Sequence, residues 1–266
     1  MFLRHKSFFM KLLAAYLLLC SGFYFFQDLF FFHPEVLAAN YPFAKLQKHV
    51  EKQIQLDEKT LIDIVQFTPA DSLPKGVVLY FHGNRQNIER YARYAPLFTD
   101  SGYECWMVDY PGYGKSTDNP TTQNMQQMAV ELYKMARAKY DKNKITIYGK
   151  SLGTGVAAYL ASVRDCKQLI LETPYFSMGT LAQRYTPVLP SALLLKMDLT
   201  TGDYFKDIPA PITVFHGLQD EVIPFTNALK LAARMKKGDQ FIAIPKGHHN
   251  DLPADDLFKK KLGSLL

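Results

Sequence analysis

From residue 77 onward the chain alternates short apolar runs with helix-like stretches, and few architectures accept that rhythm. "VVLYFH" (77–82) precedes a helical stretch at 87–99, and "CWMVDY" (105–110) precedes another at 122–140. "ITIY" (145–148) leads into a helix after Ser151, and "QLILE" (168–172) and "ITVFHG" (212–217) follow. A helix over 225–237, the strand "QFIAIP" (240–245) and a last helical segment complete the series. Ahead of it, "LIDIVQF" (61–67) alternates apolar and polar residues as a half-buried strand does. Strands of this kind are joined by right-handed crossovers, which predicts an α/β fold with a mostly parallel central sheet flanked by helices. Residues 173–209 break the rhythm; they are rich in Leu, Tyr and Pro and predict a short lid insertion over the strand ends, where open α/β sheets bind ligands.

The first 32 residues belong to none of this. Arg4, His5, Lys6 and Lys11 precede the uninterrupted apolar run Leu12–Phe26, and "LFFF" resumes at Leu29. Counted from Phe8, with Lys11 free to snorkel, the span is 19 residues, roughly 28 Å of helix against a hydrocarbon core of ~30 Å. A cleaved signal peptide is the rival reading, but no small-x-small site follows the run and the aromatic continuation fits an interfacial belt. The expectation is an N-terminal transmembrane helix in residues 1–32, a stalk in 33–52 and a catalytic domain in 53–266. The basic residues precede the span, so the positive-inside rule places the catalytic domain on the non-cytoplasmic side.

Composition narrows the partners. With 48% hydrophobic and 14% aromatic residues the chain is not disordered, and its net charge of +6 is scattered, which argues against nucleic-acid binding and suits an anionic membrane surface. Three cysteines without a CxxC or Cys/His cluster give neither a disulfide framework nor a metal site. Nothing in the sequence speaks to oligomeric state.

Gly149-Lys150-Ser151-Leu152-Gly153 matches G-x-S-x-G at a strand-to-helix corner. A sharp turn there lifts the serine hydroxyl above the sheet, and bulky flanks would collide with the strand and helix on either side. The plain alternative is a tight turn with serine as a helix cap. A serine nucleophile needs a base oriented by a carboxylate, and on this scaffold the order is Ser, acid, His, each after a strand. Asp220, beside Glu221, lies in the loop after "ITVFHG", whereas Asp203 and Asp207 lie before that strand and are weaker candidates. His248 and His249 follow the last strand, and spacing leaves both open; His82 and His216 end strands in "HG" turns and read as structural hydrogen-bonders. For an oxyanion hole the chain offers the backbone N–H of Leu152 and, from "FHGNRQN", that of Asn84, with Arg85 second.

Together "FHGN" (81–84), "DYPGYGKS" (109–116), "GKSLGTG" (149–155), "HGLQDEVIP" (216–224) and "GHHND" (247–251) resemble the α/β-hydrolase superfamily. More narrowly they resemble its membrane-anchored α/β-hydrolase-domain group, some of whose animal members remove palmitoyl groups from proteins. The likeness implies the α/β-hydrolase fold and selects His249, because the family's histidine directly precedes Asn-Asp; the family often has glycine where His248 stands. It further implies a serine hydrolase that cleaves carboxylic ester or thioester bonds of small acyl esters or acylated, lipid-like substrates, without metal or organic cofactor. A serine peptidase on the same triad, and a binding module that has kept the scaffold without turnover, are the alternatives.

Overall fold

The computed structural model describes residues 2–44, 46–70 and 73–266, with the side chains of Phe2, Leu3 and Arg4 excepted. The charge of Arg4 and the residues Lys45, Asp71 and Ser72 therefore lie outside the described parts.

Eight strands form one sheet: β1 (His49–Gln55), β2 (Leu61–Phe67), β3 (Gly76–Phe81), β4 (Tyr103–Val108), β5 (Ile145–Lys150), β6 (Gln168–Glu172), β7 (Ile212–Gly217) and β8 (Gln240–Ile244). Their spatial order is β8-β7-β6-β5-β3-β4-β2-β1. β2 runs antiparallel to β1 and β4, and every other pairing is parallel. The expected α/β architecture is thus present, with the strand bounds at 61–67, 168–172 and 212–217 as the sequence predicts.

Alternation along each strand feeds two cores. Val77, Leu79 and Phe81 of β3 join one, and Val78 and Tyr80 join the other. The first core lies under two helices, Thr122–Arg137 and Gly153–Val163. The longer one buries Met125, Met128, Ala129, Leu132, Tyr133 and Ala136, a three/four spacing that makes one apolar stripe, and the Thr121 side chain caps it by accepting from the N–H of Asn124. The second core lies under the 88–99 segment and the C-terminal helix Asp256–Leu265.

Three expectations are corrected. The helical stretch at 87–99 is three short pieces, Ile88–Tyr91, Ala92–Tyr94 and Pro96–Thr99, because Pro96 has no N–H to continue a helix from before it. The 225–237 helix is one turn followed by a 3-10 segment, Phe225–Ala228 and Leu229–Arg234, whose few buried side chains hold nothing longer. Residues 33–52 do not stand off as a stalk. His33–Pro34 pairs in parallel with Arg85–Gln86, Val36 bridges Gly114, Phe43 is buried, and His49 already begins β1. Burial of Phe32 and Phe43, and partners for an otherwise unpaired backbone, favour this strap over a free linker. Phe32 meets Tyr113 edge-on at 6.4 Å.

The helix Phe2–Phe26 projects from this body. Its segment His5–Phe26 has a mean hydropathy of 1.7, is long and apolar enough to cross a membrane, and is only 6% buried against the rest of the chain. The 173–209 insertion folds into three short helices, Met178–Tyr185, Ser191–Leu194 and Thr201–Tyr204, and a 3-10 turn, Phe205–Asp207. Of its apolar residues Leu189 is buried, Leu194 and Leu195 are half-buried, and Tyr185, Val188 and Leu193 are exposed.

Candidate active site

Ser151 leaves β5 at a corner with a φ of 50°, a left-handed conformation that a side chain other than glycine adopts only when its surroundings impose it. Both flanking glycines explain how the corner closes. A Cβ at Gly149 would lie 2.6 Å from the carbonyl oxygen of Gly153, and one at Gly153 would run into the carbonyl of Phe81 on β3. The Ser151 N–H is tied down by the carbonyl of Glu172 at 2.9 Å, and Thr154 Oγ1 donates to the carbonyl of Ser151 at 2.6 Å. The hydroxyl is therefore presented by a fixed backbone.

His249 arrives from the loop after β8, and its Nε2 lies 2.9 Å from Ser151 Oγ. Its Nδ1 faces Asp220, 2.8 Å from Oδ2 and 3.1 Å from Oδ1. That geometry fixes the tautomer, with Nδ1–H donating to the carboxylate and Nε2 accepting from the serine hydroxyl. Asp220 is held in turn by the N–H groups of Val222 (2.9 Å) and Ile223 (2.7 Å). All three side chains are buried. Such an arrangement can take the hydroxyl proton as the oxygen attacks a carbonyl carbon.

The neighbouring candidates go elsewhere. His248 is exposed and its Nδ1 pairs with Glu221 at 3.2 Å. The Glu221 carboxyl is held below its usual range by its own backbone N–H and by His248. Asp203 is exposed and 3.9 Å from Arg234, and Asp207 is exposed on the 3-10 turn before β7. His82 is fully buried between the carbonyl of Gly83 (2.7 Å) and Asp109 (3.2 Å). His216 donates from Nε2 to the carbonyl of Ile223 at 2.9 Å, and burial pushes its pKa down, so a neutral ring sits behind Asp220.

Opposite the serine, the loop after β3 comes close: a Cβ on Gly83 would lie 3.6 Å from that of Ser151. The Asn84 side chain points away and donates to the carbonyl of Phe31 at 3.0 Å, while its own carbonyl accepts from His33 N–H and Tyr113 Oη, both at 3.0 Å. Among the described residues the backbone N–H groups of Asn84 and Leu152 have no protein partner, as groups reserved for an incoming oxygen would. Arg85, the second candidate, is exposed.

Two features escaped the sequence reading. Lys150, beside the serine, is buried and pairs with Glu172, its cross-strand neighbour on β6. Glu172 also accepts from Tyr148 Oη at 2.6 Å, and burial together with that charge keeps the Tyr148 hydroxyl protonated far above its ordinary range. The signal was local: a lysine at the end of a buried strand requires a carboxylate, and "QLILE" ends in one. The second feature is a cavity of about 650 Å³ lined by Ser151, Leu152, Asn84 and His249, by Met178, Leu181 and Tyr185 of the insertion, and by Phe23, Phe30 and Phe31 from the N-terminal helical region. Nothing in the local sequence joins those last three residues to Ser151.

A family model described as the α/β hydrolase fold matches residues 76–197. The human protein ABHD12B is 27% identical over 203 residues, covering 66% of this chain and 56% of that protein. The α/β-hydrolase domain-containing protein aho-3 of Caenorhabditis elegans is 25% identical over 198 residues, covering 71% of this chain and 57% of its own. The chain thus spans little more than half the length of these relatives. Among solved structures, the Pyrococcus furiosus esterase Pf2001 superposes with a TM-score of 0.67 at 18% identity, over 89% of this chain and 97% of that one. Sheet order, serine corner and family match agree: the chain has the α/β-hydrolase fold, and its residues 76–197 are similar to the family of that name.

Proposed function

We propose that the protein is a membrane-anchored serine hydrolase cleaving carboxylic ester or thioester bonds of acylated or lipid-like substrates. One observation carries the reading: Ser151, held at a φ of 50°, lies 2.9 Å from His249 Nε2 while Nδ1 of the same ring lies 2.8 Å from Asp220. Ser151 Oγ attacks the substrate carbonyl carbon and its proton passes to His249 Nε2. The backbone N–H groups of Leu152 and Asn84 hold the developing oxyanion. His249 then protonates the leaving alcohol or thiol, leaving an acyl-Ser151 ester. Water, deprotonated by the same histidine, attacks that ester and releases the carboxylic acid and free serine. Asp220 keeps the imidazole in the required tautomer and stabilises its charged form. No step calls for a metal or cofactor.

Within this reading residues 1–32 are the anchor, 53–266 the hydrolase domain and 173–209 its cover. The 1.7 mean hydropathy of His5–Phe26 and the aromatic residues after it support the anchor, and the basic residues ahead of the span support a domain on the non-cytoplasmic side. Peptidase action on the same triad would need a free carboxylate for a substrate amine; Glu221 lines the cavity but is engaged by His248.

The test is the full chain in detergent micelles with p-nitrophenyl butyrate, beside Ser151→Ala. Turnover in the parent that drops by about 10³–10⁶ in the variant is the expected result. Equal rates, or no turnover in either folded protein, would overturn the proposal.

A further inference from the structure

The N-terminal helix reaches the reactive serine's cavity through its last turns. Phe23 is 8% exposed, although its helix is otherwise open, and it lines the cavity together with Phe31. Phe30 lines it too while remaining 67% exposed, so it stands at the mouth. Between them, Gln27 is 1% exposed, and its amide is fully used: Nε2 donates to the carbonyls of Tyr24 (2.9 Å) and Leu194 (3.0 Å), and Oε1 accepts from the N–H of Lys196 (2.8 Å). Leu194 and Lys196 belong to the cover, so this buried amide clasps the helix to it. A buried amide left unpaired is costly, which makes the clasp specific in register and orientation.

The clasp borders a trough whose lining combines reactive and apolar groups: Ser151 and His249 line it together with Phe23, Phe31, Met178 and Leu181. Beside Phe30 in the chain Leu29 is 69% exposed, and in the cover Leu193, next to the Leu194 that Gln27 holds, is 87% exposed. The trough's volume of about 650 Å³ falls within the ordinary range for small-molecule sites, ~300–1,000 Å³.

Resting on the hydrolase reading above, we propose that the foot of the N-terminal helix completes the acyl-chain subsite: Phe23, Phe30 and Phe31 hold the hydrocarbon tail of the acyl group transferred to Ser151, and Gln27 keeps them against the cover. The occupant is an aliphatic acyl chain rather than a peptide, because Phe23, Phe31, Met178 and Leu181 offer it aromatic rings and thioether and methyl groups, while the lining carboxylate of Glu221 is engaged by His248. The tail reaches the trough past Phe30, from the side on which the apolar helix continues.

The full chain in detergent micelles, assayed with p-nitrophenyl butyrate and p-nitrophenyl dodecanoate, tests this, since the two esters differ only in the acyl chain. In Phe23→Ala and in Gln27→Ala the dodecanoate-to-butyrate ratio of kcat/KM is expected to fall about tenfold, the scale of a lost buried aromatic contact. Phe23→Leu should recover much of it. A ratio that stays at the parental value in both variants would overturn the subsite. If either variant loses both activities together, Phe30→Ala decides, since that exposed ring supports no buried packing: a fall of about threefold or more supports the proposal and an unchanged ratio overturns it. Ser151→Ala separates the two levels, because its retention of turnover on both esters would overturn the hydrolase reading itself.

Discussion

Lys150 and Glu172 face one another on adjacent parallel strands at the Ser151 corner, and Lys150 Nζ also reaches the carbonyl of His249 at 3.4 Å. The pair fastens the end of β5 to the loop that carries His249, and the Tyr94 ring centre lies 5.7 Å from the same ammonium. Removing one partner leaves a buried, uncompensated charge. Lys150→Met is therefore expected to lower stability by about 3–5 kcal/mol, and Lys150→Met with Glu172→Gln to recover part of it. Denaturant unfolding checks this; an unchanged midpoint in Lys150→Met would show that the pair holds nothing.

The two adjacent histidines should behave very differently. His249 bridges Ser151 and Asp220, whereas the His248 ring pairs with exposed Glu221. His249→Ala should reduce ester turnover by at least about 10³ and His248→Ala by less than about tenfold. Comparable losses in both would mean that the loop moves before it acts.

Asp220→Asn should keep the fold, because an amide oxygen still accepts from Val222 and Ile223, yet kcat should fall on the order of 10⁴ as the imidazole loses its enforced tautomer. Circular dichroism and ester kinetics on the same preparation distinguish this from misfolding.

In the proposed mechanism Asn84 serves through its backbone N–H. Its side chain donates to Phe31 and cannot also reach the serine side of the loop. Asn84→Ala keeps the N–H and loosens its mounting, so the loss in kcat should stay below the ~10²–10³ expected when an oxyanion donor disappears. A loss beyond that range would move the donor role to the side chain.

A stability effect of pH is expected from a carboxyl outside the Ser151–His249–Asp220 group. Asp63 is buried, with no partner for Oδ2 among the described residues and Asp109 nearby, and burial first, then that neighbouring charge, raises its pKa from 3.8 to about 6. The folded protein therefore binds the proton more tightly than the unfolded chain, and the stability this carboxyl contributes below pH ~4 is lost as the pH rises through about 6. Asp63→Asn should be more stable than the parent at pH 8, with the advantage vanishing near pH 4. Parallel denaturation curves at both pH values would contradict that.

The central strands were legible because their signal is local. β2, β6 and β7 are short, apolar and bounded by turn residues, and the serine corner carries its own glycines. β1 was not, because "HVEKQIQ" is an edge strand with mostly exposed polar side chains and no buried face to impose an apolar pattern. The Ser-acid-His order is written in the chain, while the choice of His249 over its neighbour came from a family resemblance and not from spacing. The share of the N-terminal helix in the cavity lay beyond any local reading, since Gln27 finds its partners 167 and 169 residues away. A glutamine at the end of an apolar run reads equally well as the place where a helix meets water.

The strap that leads out of that helix has a kinetic meaning. The Phe31 carbonyl accepts from Asn84, His33 pairs back to Asn84, and Glu35 and Leu37 are hydrogen-bonded onward to Gln86 and Gly114. These bonds run from the foot of the helix onto the hydrolase-fold body. On the proposed membrane placement, the mouth keeps one bearing relative to the bilayer and meets its substrate by lateral diffusion in a plane. Turnover should then follow the mole fraction of substrate in the lipid and stay insensitive to the volume of water around it.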